Sequence, residues 1–543
     1  MASNKLVLFC AALLVAVLAF GAPASAQKRG GILNWFIYAD PARLDIHTES
    51  PLAVQQATAG VYSGLLHWDP NNPKKIAPDL ATDWFAFDGG KTYLFNLRRG
   101  VKWHDGKPFT AKDVAATFNR IIDPAVKSKR CGSLLRPLIT RKFSKKKNKW
   151  ITGVKVLGTY QVRFSLNYAA ATFLPSIASA WCRVAAAHIL KRDGNLLQAK
   201  SQIGTGPFMF KRYERGVVVE WERNPNYYNP KLPYLDGVKQ FILKGGNRQL
   251  AAAKAGKIHV WDTWPPMSKS KADELKNARG DKVRLYTHAI NVAWQIHFNT
   301  TKKPFSIKDM RRAVHLGLDR KELYKKAFEG IGTPCAILDP SLYGDWALPM
   351  SELAKIPGCR QDKKAEDIAE AKRLVKKHYP NGVEIVLAVR TVGNYLDRVQ
   401  LVAAQLRKLG IKPNLKTYES AAGYVAWGKG EFDLIGTQDT AMFVPDPSAP
   451  FSILFTSDAG RNWGKWVDKY VDEMAAKGLR ESDQAKRRKI YHDLQRYILT
   501  QDSQTAAVGW VEGWFFTDSR VRNYNPANTV YDNNTFMTVW LDQ

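Results

Sequence analysis

The chain has 543 residues, more than one hydrophobic core usually serves, so two or more domains are expected. Its composition, 45% hydrophobic, 11% aromatic and 24% charged, is ordinary for a folded globule. A formal net charge of +32 first suggests nucleic acid as partner. Its basic residues, however, are spread through the chain. The dense run, Arg141-Lys142 with Lys145-Lys146-Lys147 and Lys149, lacks the interleaved aromatics that stack bases. It reads as a solvated loop favouring anionic surfaces or ligands, and nucleic acid is excluded as partner.

Residues 1–26 read as a signal peptide. Lys5 supplies the positive start, residues 6–20 are a continuous apolar run, and Ala24-Ser25-Ala26 predicts cleavage before Gln27. The run is shorter than the roughly 20 residues that span a bilayer. Phe9, rather than a small residue, precedes Cys10, so no lipid anchor is expected and the mature chain is read as soluble and periplasmic. Export leaves Cys131, Cys182, Cys335 and Cys359, without a CxxC motif. In an oxidising compartment the local pairing is Cys131–Cys182 and Cys335–Cys359, one bridge in each half.

From Gln27 to about Ala289 the chain is strand-rich. Residues 32–38 form an apolar strand leading into Ala39-Asp40-Pro41. In residues 91–122, Tyr93, Phe95 and Leu97 alternate with polar residues as in a half-buried strand. Gly100 and Asp105-Gly106 turn the chain. Thr110 and Asp113 form a capping box, and Val114, Phe118, Ile121 and Ile122 make a helical stripe. Residues 154–157 and 162–166 read as paired strands. The glycine-rich run at 204–210 lacks the Gly-Lys-Ser/Thr ending of a phosphate loop and reads as a turn into a strand.

A second capping box is expected at Ser306 and Asp309, ahead of a helix carrying Met310, Ala313, Val314, Gly317 and Leu318. Asp319 and Glu322 mark another cap. An alternation follows: helix 368–375, strand 383–389, helix 396–409 closed by Gly410, strand 411–416, helix 421–427 and strand 432–436. It implies a mainly parallel sheet covered on both faces. Ile490, Leu494, Tyr497 and Ile498 give one more amphipathic helix, and residues 508–543 return to Trp-rich strands.

No catalytic or metal-ligating set emerges. His104-Asp105 and His492-Asp493 are adjacent pairs rather than an oriented triad, and neither GxSxG nor HExxH occurs. No cofactor is implied.

The strings KTYLFNLRRGVKWHDGKPFTAKDVAATFNRII, GTGPFMFKRYERGVVVEWERNPNYY and FNTTKKPFSIKDMRRAVHLGLDRKEL closely resemble those of family 5 extracellular solute-binding proteins, the dipeptide- and oligopeptide-binding components of ABC importers. The resemblance implies a two-lobed α/β periplasmic-binding-protein fold of class II type with an enlarged first lobe. Lobe I would comprise residues 27–290 and 509–543, with an inserted subdomain at roughly 60–200, and lobe II residues 291–508. Crossings near 289–294 and 504–510 would form a hinge closing on a ligand. The implied partners are a small-molecule or peptide-like ligand, an inner-membrane ABC permease and its ATPase, with the receptor a monomer.

In peptide-binding members a carboxylate shortly before an acidic-Pro pair grips the peptide amine. Here that pair is Asp446-Pro447, and Phe443 stands where the carboxylate would align, with Asp439 nearby. This departure puts ordinary peptide uptake in question. Arg390 aligns with a segment that holds a ligand carboxylate in dipeptide binders. Tyr38, Trp427, Phe443 and Trp510 are candidate cleft walls. The expected ligand is peptide-like or another small organic solute, anionic by the charge of the chain; a metal chelate, opine or oligosaccharide is the alternative, and an exported hydrolase the rival class. Sequencing of the secreted protein should find Gln27 as its amino terminus; a retained Met1 or a lipidated Cys10 would reverse the assignment.

Overall fold

The computed structural model describes residues 27–41, 43–49, 51–128, 130–144, 149–392, 394–442, 446–481, 483–500, 505–526 and 535–543. The segment read as a signal peptide, Phe443 and residue 504, the expected start of the second crossing, lie outside these.

Two four-stranded sheets come from the amino-terminal half. In the first, Ile32–Ile37 pairs in parallel with Gly237–Ile242, which continues antiparallel to Val218–Arg223 and Phe208–Glu214. The second, ordered Ala81–Phe87, Thr92–Leu97, Gln161–Ser165, Val154–Gly158, is wholly antiparallel. Tyr93, Phe95 and Leu97 point into its core, as their alternation requires. Helix Ala111–Ile122 packs against it. The Thr110 backbone N–H donates to Asp113 Oδ2 at 2.9 Å and the Thr110 hydroxyl accepts from the Lys112 N–H, so the expected capping box is present.

The largest sheet has seven strands, ordered Val260–Trp261, Thr505–Asp518, Val283–Phe298, Leu434–Ala441, Val383–Arg390, Ile411–Tyr418, with Thr333–Pro334 added on Thr505–Asp518. Only the last three on the main path are parallel to one another. The two long central strands join antiparallel, so the sheet is mixed rather than mainly parallel. Helix Tyr395–Lys408 ends at Gly410, whose φ is +87°. The cap expected at Ser306 does not form. The helix starts at Lys308, and Asp309 instead binds Lys377 Nζ at 2.8 Å and His378 Nε2 at 2.7 Å.

Disulfides join Cys131 to Cys182 and Cys335 to Cys359, with Cα atoms 5.2 and 5.7 Å apart. The first ties into the main core, the second into a smaller one around Tyr343, Phe451, Tyr491 and Trp510.

The long strands pair from Val283 opposite Asp518 to His297 opposite Thr505, interrupted twice. Between Ala289 and Val292 two residues, Ile290 and Asn291, are extra, and Asn291 has φ +56°. Between Trp294 and Gln295 the extra residue is Val508 on the other strand, beside Gly509 at φ +146°. A Cβ on Gly509 would collide with the Thr333 carbonyl and stand 2.6 Å from Pro334 Cα. Gly509→Ala should therefore destabilise by about 2 kcal/mol or more through positive-φ strain and overlap, read as a lowered midpoint in urea unfolding. An unchanged midpoint would show that the bulge relaxes freely.

Candidate functional site

Helix Tyr395–Lys408 and strand Leu434–Ala441 meet through a buried ion pair. Arg398 donates to both oxygens of Asp439, at 2.9 and 2.7 Å, and neither side chain is more than 5% exposed. The guanidinium also lies 4.6 Å from the Tyr395 ring centroid, 4.9 Å from Trp294 and 5.2 Å from Phe328. Burial alone would lower the pKa of Arg398; Asp439 more than offsets it and raises it. Asp439 is thus committed to Arg398.

Asp446 is committed as well. Its carboxylate accepts from the Ser448 N–H at 2.9 Å and from Arg487 Nη2 at 2.8 Å, fastening helix Gln484–Thr500 to the turn before Ser448.

Arg390 ends its strand almost wholly buried. Its guanidinium sits 4.1 Å from the Tyr424 ring centroid and 5.2 Å from Trp427, and Arg461 lies 4.8 Å from the same Tyr424 ring. Burial would raise the Tyr424 pKa, but Arg461 and Arg390 together pull it below its ordinary value. Gly423 makes the room, since a Cβ there would stand 2.5 Å from Arg390 Cγ. This corner concentrates positive charge beside aromatic faces, a setting suited to an anionic group.

The aromatic candidates divide. Trp427 is fully buried with Ala388, Phe432 and Ile435. Trp510 is fully buried too, its Nε1 donating to the Ala336 carbonyl at 3.1 Å. Both are packing residues in this structure. Tyr38 is half-buried between two core clusters.

A cavity of about 480 Å³ opens elsewhere. One side is formed by Gly245, Gly246, Gln249, Trp261, Trp264, Pro265, Pro266, Met267, Ser268 and Lys271. The cavity is also lined by Ala327 at the end of helix Arg320–Ala327, by Phe328, Glu329 and Ile331 after it, and by Asn394 and Asp397 at the start of the Arg398 helix. Glu512, on the second long strand opposite Ala289, completes the lining. Glu329 reaches over the gap to accept the backbone N–H groups of Lys269 and Ser270, at the amino-terminal end of helix Lys269–Arg279. Sequence reasoning named none of these lining residues. The Trp-Asp-Thr-Trp-Pro-Pro run at 261–266 carried the available signal, two indoles beside two prolines. Among the described residues no group of three His, Cys, Asp or Glu is placed to hold a metal ion.

The sequence profile of the bacterial extracellular solute-binding proteins, family 5 (middle region), matches residues 75–462. The chain belongs to that family. Di/tripeptide-binding protein 1 of Pseudomonas aeruginosa is 27% identical over 486 residues, covering 85% of each chain. Heme-binding protein A of Haemophilus influenzae is 27% identical over 497 residues, covering 87% of this chain and 85% of that one. The periplasmic binding protein DppA from Helicobacter pylori, solved with the peptide STSA, superposes with a TM-score of 0.80 at 24% identity, over 95% of this chain and 99% of that one. The fold is the two-lobed α/β fold of the family's periplasmic binding proteins, and the function is the family's: capture of a solute for an ABC importer. No helix among the described residues is long and apolar enough to cross a membrane.

Asp439→Ala should cost about 3–5 kcal/mol of stability, because it leaves the Arg398 guanidinium buried without its counter-ion. Chemical denaturation measures this directly. A variant of wild-type stability that had lost ligand would return Asp439 to the role of amine anchor.

Proposed function

We propose that the receptor captures a peptide-like or other small organic solute in the cavity lined by the Trp261–Trp264 region, Phe328 and Glu512, and passes it to an inner-membrane ABC permease and its ATPase. The observation that carries this reading is the cavity itself. Its volume of about 480 Å³ suits a small ligand, and its walls come from distant parts of the chain beside the interrupted strand pair. In this reading residues 27–290 with 509–543 form one lobe and 291–508 the other. The bulges at Ile290–Asn291 and Val508 are where the lobes bend relative to each other. The receptor works in the periplasm as a monomer and turns nothing over.

Arg390, with Arg461 beside it, is not part of this cavity's lining and is the proposed partner of a carboxylate on a ligand that extends beyond the cavity. Phe443 in place of an acid, and Asp439 bound to Arg398, together argue against the family's usual grip on a peptide amine. Simple dipeptides should therefore bind weakly. A second reading, a metal chelate, draws on the heme-binding relative, at 27% identity like the di/tripeptide binder.

Native mass spectrometry of gently purified protein should show a retained small molecule whose mass separates these classes. In titration calorimetry, Arg390→Ala should weaken an anionic ligand by about 1.5–3 kcal/mol, the range for hydrogen bonds to charged groups. Tight binding of plain dipeptides unaffected by Arg390→Ala, or turnover of the ligand, would overturn the proposal.

A further inference from the structure

The chain carries 81 Lys and Arg against 49 Asp and Glu. The charged lining of the cavity inverts that balance, with Glu329, Asp397 and Glu512 against Lys271 alone. Glu329 is engaged by the backbone of Lys269 and Ser270. The Lys271 ammonium is tucked against Gly246, where a Cβ would stand 2.6 Å from its Nζ. The carboxylates of Asp397 and Glu512 make no hydrogen bond or ion pair among the described residues. The adjacent Arg398 cannot neutralise Asp397, since it turns inward to Asp439. Near Glu512 the charge-bearing neighbour is His288, already hydrogen-bonded to Asp262 at 2.8 Å.

A third acceptor is independent of these carboxylates. Gln249 lines the cavity and is 1% exposed. Its amide nitrogen donates to the Leu243 carbonyl at 2.8 Å, which fixes the orientation of the amide; the reverse would set two oxygens against each other. Oε1 is then a buried acceptor without a partner among the described residues. Such a group is costly unless a donor meets it. Trp261, Trp264 and Phe328 give the cavity an apolar, aromatic lining.

We propose that this cavity receives a cationic, hydrogen-donating group of the solute, an ammonium carried on an apolar or aromatic body, met by Glu512, Asp397 and Gln249. The inference rests on the reading of the cavity as the solute site, and it makes the solute amphoteric when Arg390 holds a carboxylate. The probes are 2-phenylethylamine and its neutral isostere 2-phenylethanol, titrated by ligand-observed NMR against the wild type and against Glu512→Gln combined with Asp397→Asn.

The amine should bind the wild type at least about tenfold more tightly than the alcohol, as expected for charge-assisted hydrogen bonds. The double variant should keep its melting temperature and lose that preference through weaker amine binding alone. Equal binding of amine and alcohol, or an amine indifferent to both substitutions, overturns the inference. When native mass spectrometry still finds a retained solute, that result leaves the receptor reading standing and removes only the charge assignment. When neither probe nor solute binds, both fall.

Discussion

The antiparallel pairing of Val283–Phe298 with Thr505–Asp518 is the constraint on which the rest of the molecule depends. A strand of 16 residues spans about 50 Å, enough to run through more than one structural unit. Its first part pairs with Thr505–Asp518 beside Val260–Trp261; from Val292 onward it also pairs with Leu434–Ala441. The ladder is broken where that change occurs. Bulged residues forfeit ladder hydrogen bonds, so the pairing is weakest at these two places. Tyr343 pins one bulge, its hydroxyl donating to Asn291 Oδ1 at 3.0 Å, and Tyr324 donates to the Trp510 carbonyl next to the other.

Buried charge holds the surroundings in register. Arg398–Asp439 and Arg487–Asp446 each link a helix to the segment around Leu434–Ala441, and Arg120–Asp45 links helix Ala111–Ile122 to the loop after Ile32–Ile37. Pairs of this kind add little net stability, but losing one partner is expensive, so they discriminate against misplaced helices. Most other ion pairs are exposed, such as Lys269–Asp273 and Lys489–Asp493, and contribute little.

What was legible in the sequence was what local chemistry decides. Alternation at Tyr93, Phe95 and Leu97, the Thr110–Asp113 cap and the Gly410 stop depend on neighbours within a few residues, and each is realised. The Ser306 cap does not form: the helix starts at Lys308, and the Asp309 carboxylate is taken by Lys377 and His378, 68 and 69 residues further on. The sheet was misjudged for a similar reason: its antiparallel members come from outside the helix–strand alternation that signals parallel pairing. At the site, the family likeness led to Arg390 and the acids at 439 and 446. Whether an acid is free or consumed depends on partners 41 residues away in both cases, Arg398 and Arg487, and no local pattern reveals them. Glu512 and Asp397 escaped notice because a lone carboxylate in a basic chain looks like ordinary surface.

The place of Thr505–Asp518 in the chain has a consequence for assembly. It pairs with Val283–Phe298, whose residues emerge more than 200 positions earlier, yet it arrives only near the carboxyl terminus of a 543-residue chain. Partners so distant in sequence make a high contact order and a slow final step. A chain emerging amino terminus first therefore holds the largest sheet unfinished, with one edge of Val283–Phe298 unsatisfied, until almost all of it is out. The largest sheet, and with it the cavity that Glu512 helps to line, is therefore complete only once this late strand has docked.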